Sequence, residues 1–233
     1  ADQWMAYALL IAAERWDEPR YHGQALGLLA AIWDQEVGLV GPFRVMLPGP
    51  WARGQDPVTL NPSYFLPFAY RAFAAVDPGR PWAELVEGSY ALLGALMANE
   101  ALPPDWVWVD PNGGAARLAP EGAPVGAALH GFEAFRVAWT LAADARWYDE
   151  PRARKLLLSY ARLGTVWRRD GRLAAVVTTD TLEPRSEAVS AGQYGALIAA
   201  FSVIRPNDVA ALFARDVGPH AGIGGWGGPD DYY

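Results

Sequence analysis

Apolar residues recur at helical spacing through most of the chain. In residues 3–15, Trp4, Met5, Ala8, Leu9, Ile11 and Ala12 follow a helical repeat. The stretch Trp16-Asp17-Glu18-Pro19-Arg20 interrupts it, since proline stops one helix and suits the first turn of the next. The repeat resumes over residues 20–36 with Leu26, Leu28, Leu29, Ile32 and Trp33. The same layout returns further on. Residues 139–147 read as a helix, Tyr148-Asp149-Glu150-Pro151-Arg152 as the turn, and residues 152–167 as the next helix. The two turns differ at one position. A looser copy spans a helix at 63–76, the turn Asp77-Pro78-Gly79-Arg80-Pro81 and a helix at 82–99. A fourth pair spans 187–204, the turn Arg205-Pro206-Asn207 and 208–215.

Repeated helical hairpins bury a continuous core only by stacking on their neighbours, as an open solenoid or a closed ring. The connections here are long and uneven, at 37–60, 100–129 and 168–185, and long loops at one end of a scaffold are where function concentrates. Short strands are expected within them at 37–40, 43–47, 106–109 and 173–178. The predicted fold class is therefore all-α: a helical-hairpin toroid with short β elements in its rim loops. Residues 1–233 read as one domain, with a glycine-rich loop at 222–229 leading into Asp230-Asp231-Tyr232-Tyr233.

Composition narrows the chemistry. The chain is 52% hydrophobic and 19% charged, has a formal net charge of -7, and carries no long run of one sign. Nucleic acid and anionic membrane surfaces are poor partners for such a chain. A neutral ligand fits better, and 11 tryptophans suit the flat faces of sugars, although core packing accounts for most of them. The absence of cysteine excludes disulfides, thiol nucleophiles and thiolate metal sites. No apolar run is long enough to span a membrane, and the first residues carry no basic segment of a signal peptide. His22, His130 and His220 lack metal-ligand spacing, and neither a phosphate-binding glycine loop nor a G-x-S-x-G elbow occurs. No metal or cofactor is called for.

One stretch stands out. In His130-Gly-Phe-Glu-Ala-Phe-Arg-Val137, Glu133 precedes Arg136 by three residues among apolar neighbours, a spacing that shares one helix face. Charges in such company need a partner or a task. Either the two form a pair that only orients a helix, or Glu133 does chemistry. Asn61-Pro62-Ser63-Tyr64-Phe65 reads first as a helix cap, with Tyr64 turned to the mouth of the toroid. Pro103-Pro104-Asp105-Trp106 puts an acid beside an aromatic ring in a loop, a pairing that can hydrogen-bond and stack on a sugar. Glycoside hydrolysis needs a second carboxyl group, and Glu36, Asp56, Asp105 and Glu187 are candidates without supporting context.

The order and spacing of Asn61-Pro62-Ser63-Tyr64-Phe65, Pro104-Asp105-Trp106 and Phe132-Glu133-Ala134-Phe135-Arg136-Val137 resemble glycoside hydrolase family 8, the bacterial endoglucanases. Ala1-Asp2-Gln3-Trp4-Met5-Ala6 is similar to the end of that family's Asp-containing signature, and Asp230 to Tyr233 to the start of its final helix. The resemblance implies an (α/α)6 barrel, metal-free inverting cleavage of β-1,4-linked glucan, and a secreted or periplasmic location. It implies Glu133 as the base, Arg136 as its partner, and Asn61, Tyr64, Asp105, Trp106 and Tyr232 along the sugar cleft. Three departures accompany it. The family's general acid and the first Asp of its signature fall before Ala1, so the resemblance implies truncated ends and a missing segment or second chain that completes the ring. Phe132-Glu133 stands where the family has Tyr-Asp, lengthening the acid by one methylene, roughly 1.5 Å. A chain without its acid would be inactive alone. The competing expectations are a barrel kept for glycan binding or structure, and a different toroid such as a sugar epimerase or lyase, which the lack of well-placed histidines disfavours.

Overall fold

The computed structural model describes residues 1–110, 116–118, 129–222 and 225–226. The first hairpin pairs α1 (Asp2–Trp16) with α2 (Pro19–Glu36). At their junction Asp17 takes the left-handed conformation, φ 50°, and the Glu18 side chain accepts a hydrogen bond from the Arg20 N–H at the start of α2, with Pro19 in its first turn. The near-identical turn at 148–152 works the same way. Asp149 sits at φ 51°, the Glu150 side chain accepts from the Arg152 N–H, and Pro151 opens the next helix. Proline has no N–H to lose at that position, and a cap of this kind stabilises a helix start by about 1 kcal/mol.

The second hairpin pairs α3 (Pro67–Val76) with α4 (Trp82–Leu96), the third α5 (Phe135–Trp147) with α6 (Pro151–Leu157) and α7 (Ala161–Asp170), and the fourth α8 (Ala191–Ile204) with α9 (Pro206–Leu212). The first helix of each hairpin packs on the next: α1 on α3, α3 on α5, α5 on α8. The partner helices lie outside, with α4 touching α6. This two-layered arrangement is the α/α toroid that the repeats predict. Its core runs through Phe68, Tyr70 and Phe73 of α3, Trp82 and Leu85 of α4, Leu141 of α5, and Leu197 and Phe201 of α8.

Several boundaries differ from the periodic reading. The helix expected from residue 63 breaks into a 3-10 turn, Pro62–Tyr64, before α3, because Pro67 restarts it. The helix expected to reach Asn99 stops at Leu96, and Asn99 and Glu100 both take positive φ. The helix expected over 152–167 divides at the 3-10 turn Leu158–Tyr160. Helix α8 begins only at Ala191, where the Ser190 hydroxyl accepts from the Gln193 N–H. In the stretch read as a plain loop, β8 (Ala221–Gly222) pairs with β9 (Gly225–Trp226).

The rim carries the remaining strands. A hairpin of β1 (Val37–Val40) and β2 (Phe43–Met46) follows α2. A three-stranded antiparallel sheet orders β3 (Val58–Leu60), β4 (Val107–Val109) and β5 (Ala116–Leu118), with Leu60 opposite Val107. Strand β6 (Leu129–His130) pairs with β7 (Val177–Thr178), His130 opposite Val177. Strands β3, β5 and β6 are absent from the expectation, and the strand expected over 173–178 is confined to Val177–Thr178, because these short pieces are fixed by their partners across the sheet rather than by local alternation. These pairings set the site: Asn61 follows β3, Trp106 precedes β4, and Glu133 comes three residues after β6.

Candidate active site

Asn61 caps its own turn. Its Oδ1 accepts from the Ser63 N–H at 2.9 Å and the Ser63 hydroxyl at 2.7 Å, which frees Nδ2 to donate to Glu133 Oε2 at 2.9 Å. The capping expectation holds, and the same side chain reaches a residue 72 positions away. Ser63 Oγ lies 3.5 Å from the same oxygen, and Arg136 Nη2 donates to it. Helix α5 begins at Phe135, so Glu133 lies in the turn before it rather than on a helix face. The three-residue spacing still serves the ion pair, because Arg136 sits in the first helical turn and its Nε returns to the Glu133 carbonyl. Among the described residues these carboxylate bonds fall on Oε2. The Glu133 side chain is 26% exposed, enough to reach a ligand yet too little to swing freely.

Beside this pair is a cleft of about 730 Å³. Ser63, Tyr64, Phe132, Phe135, Arg136 and Trp139 line one part of it, and Asp2, Gln3, Trp4 and Glu36 another. Aromatic rings continue outward. Arg136 lies over the Tyr64 ring at 5.9 Å, Tyr64 meets Trp106 edge-on at 6.3 Å, and Trp106 is 6.5 Å from Trp51, which is 55% exposed. Trp4 and Trp139 pack at a tilt of 48°, 4.8 Å between ring centres, on the cleft wall. Flat rings held in this way offer stacking faces to a polymer of sugar rings. Burial, reinforced by the Glu133 charge, raises the Tyr64 phenol, so Tyr64 is a neutral hydroxyl at physiological pH.

Of the four candidate second carboxylates, Glu36 reaches the cleft. Burial, then its hydrogen bond and charge repulsion with Asp2, raises its carboxyl to about 7. Asp56 is exposed in its loop, and Glu187 is an exposed partner of Arg172. Asp105 faces inward instead: its Oδ1 accepts the N–H groups of Gly131, Glu133 and Ala134 at 3.0, 3.2 and 2.7 Å. Desolvation raises its carboxyl, against the lowering by those amides. Tyr232 lies outside the described residues. Sequence reasoning missed Trp4 and Trp139 as cleft residues, Trp51 as the exposed ring beside Trp106, and Asp2 as the partner of Glu36. Helical spacing marks Trp4 and Trp139 as apolar and cannot say that one side of each stays open.

A family model described as glycosyl hydrolases family 8 matches residues 1–214. The chain belongs to this family. An endoglucanase from Cellulomonas uda is 35% identical over 116 residues, covering 48% of this chain and 32% of that protein. The structure of an endo-1,4-D-glucanase from Vibrio fischeri superposes with a TM-score of 0.80 at 24% identity, over 93% of this chain and 61% of the other. An endoglucanase from Klebsiella pneumoniae, a family 8 glycosyl hydrolase, superposes with a TM-score of 0.69 at 26% identity, over 100% of this chain and 66% of the other. The stacked hairpins are those of the family 8 (α/α)6 barrel. The chain spans about a third of the curated relative's length and under two thirds of each solved structure.

Proposed function

We propose that this chain carries the base side of a family 8 glycoside hydrolase that cleaves β-1,4-linked glucan with inversion. The observation that carries the reading is Glu133 Oε2 bracketed by Asn61 and Arg136 at the edge of an aromatic-walled cleft. Glu133 takes a proton from a water as the water oxygen attacks the anomeric carbon. The bond from that carbon to the leaving O4 breaks, and O4 receives its proton from a general acid. In an inverting pair the two carboxyl groups stand ~6.5–9.5 Å apart to admit the water. Tyr64, Trp106 and Trp51 give the glucan chain its stacking faces. A polymer substrate of this kind favours a secreted or periplasmic protein, one barrel domain and a β-linked polysaccharide as partner. Among the described residues no helix is long and apolar enough to cross a membrane.

The test is reducing-end release from carboxymethylcellulose and mixed-linkage β-glucan by the full-length protein beside Glu133→Gln. Loss of about 10²- to 10⁴-fold in rate is the expected outcome for removal of a general base. Proton NMR of the first products then reads the mechanism, with the α-anomer expected and the β-anomer ruling out inversion. Glucan binding without release, in the protein with its acid present, would move the assignment to a barrel kept for recognition.

A further inference from the structure

The turn that carries Glu133 is hydrogen-bonded to a second carboxylate, that of Asp105. Asp105 enters β4 beside Trp106, and its backbone N–H donates to the Leu129 carbonyl at 2.8 Å. Its Oδ1 gathers three donors of the turn that carries Glu133, the N–H groups of Gly131, Glu133 and Ala134. One residue before that turn, His130 is fully buried and donates from Nδ1 to the Pro103 carbonyl at 2.9 Å. The two segments 103–105 and 129–134 are thus laced by five hydrogen bonds, independently of the Asn61 and Arg136 contacts that hold the carboxylate itself. Gly131 makes the close approach feasible: a Cβ there would stand 2.7 Å from Asp105 Oδ2 and 3.3 Å from Val176 Cγ2.

We propose that Asp105 is the positioning residue for Glu133, clamping the 131–134 turn so that its carboxylate keeps one place at the cleft edge. Part of this rests on the reading of Glu133 as the base. A turn that loses three hydrogen bonds to one charged acceptor shifts by a substantial part of an ångström, and a misplacement of about 1 Å costs on the order of 10²-fold in rate.

The test uses the full-length protein and the variants Asp105→Ala, Asp105→Asn and Glu133→Gln. Two readouts are taken: kcat and KM on soluble β-glucan, and hydrogen exchange at the amides of residues 131, 133 and 134. The expected result for Asp105→Ala is a kcat lower by about 10- to 100-fold with KM within about twofold, and exchange faster by at least about tenfold at those amides. Asp105→Asn keeps an oxygen where the three N–H groups point and restores most of both. If Asp105→Ala does not fold, Gly131→Ala displaces the same carboxylate by contact and gives the same direction more weakly. Unchanged exchange in a folded variant overturns the proposal. So does a raised KM at constant kcat, which would make Asp105 a substrate contact, and so does failure of asparagine to rescue. The base assignment fails separately: full activity in Glu133→Gln together with accelerated exchange in Asp105→Ala sinks that assignment and leaves the clamp standing.

Discussion

Asp144 ties the second and third helical hairpins to one buried charge. It is fully buried on α5 and accepts from Arg71 of α3 through Nε at 2.9 Å and Nη2 at 3.2 Å, while the Tyr90 hydroxyl of α4 donates to its Oδ2. Arg71 also reaches Glu150 at 2.6 Å, and Glu150 in turn accepts from Arg152 at the start of α6. Asp144→Asn keeps the shape, removes the charge and leaves one acceptor oxygen for three donors. Breaking a buried pair from one side costs about 3–5 kcal/mol, and hydrogen bonds to charged groups about 1.5–3 kcal/mol each. Arg71 is 28% exposed and retains Glu150, so water and the second acid absorb part of the loss. The expected destabilisation is about 2–4 kcal/mol, which for a chain of this size lowers Tm by roughly 5–12 °C. Urea denaturation with an unchanged m value measures it. The Arg71→Met, Asp144→Asn double variant is expected to be less destabilised than the sum of the singles, because the stranded cation is gone. Glu187→Gln, which breaks an exposed pair with Arg172, is the contrast and should shift stability by at most about 0.5 kcal/mol. A loss below about 1 kcal/mol in Asp144→Asn would refute the view that this network clamps the hairpins.

Two further outcomes follow from packing and burial. On α4 a Cβ at Gly88 would stand 2.0 Å from the Arg44 carbonyl of β2, so Gly88→Ala must push the β1–β2 hairpin off the helix and should destabilise by more than about 2 kcal/mol in the same urea assay, whereas a near-neutral result would mean that this rim hairpin moves freely. Burial holds the His130 imidazole down to about 4 against its usual 6.5. The unfolded chain takes up that proton first, so the stability this site contributes is present above about pH 6.5 and is lost as pH falls towards 4, by at most roughly 3 kcal/mol. Arg152 holds Glu150 down to about 2, so its share is lost only between 4.5 and about 2, a lower window. Stability measured at pH 7, 5.5 and 4.5 should fall less steeply in His130→Asn than in the parent, and parallel curves would show that His130 does not set the slope.

The hairpins, their order and their turns are determined by sequence alone. Helical spacing of apolar residues and the paired Asp-Glu-Pro-Arg turns are local: a left-handed Asp, a capping Glu and a proline act within five residues, and nothing distant is needed to form them. The Glu133–Arg136 pair is legible for the same reason, being three residues apart. What only the tertiary structure decided is which surfaces meet. Asn61 touches Glu133 across 72 positions because β3 and β4 pair and α3 packs on α5, and neither event leaves a periodic mark in the sequence. The helix ends at Leu96 and Leu157 likewise escape a periodicity reading, since the apolar repeat runs on past the point where the backbone turns. Asp105 reads as a loop acid suited to a sugar, yet the fold turns it towards three backbone amides, because a buried carboxylate needs donors and the turn before α5 supplies them. Residue chemistry can be listed from the chain; the direction a side chain faces is decided by long-range contacts whose partners are far away along it.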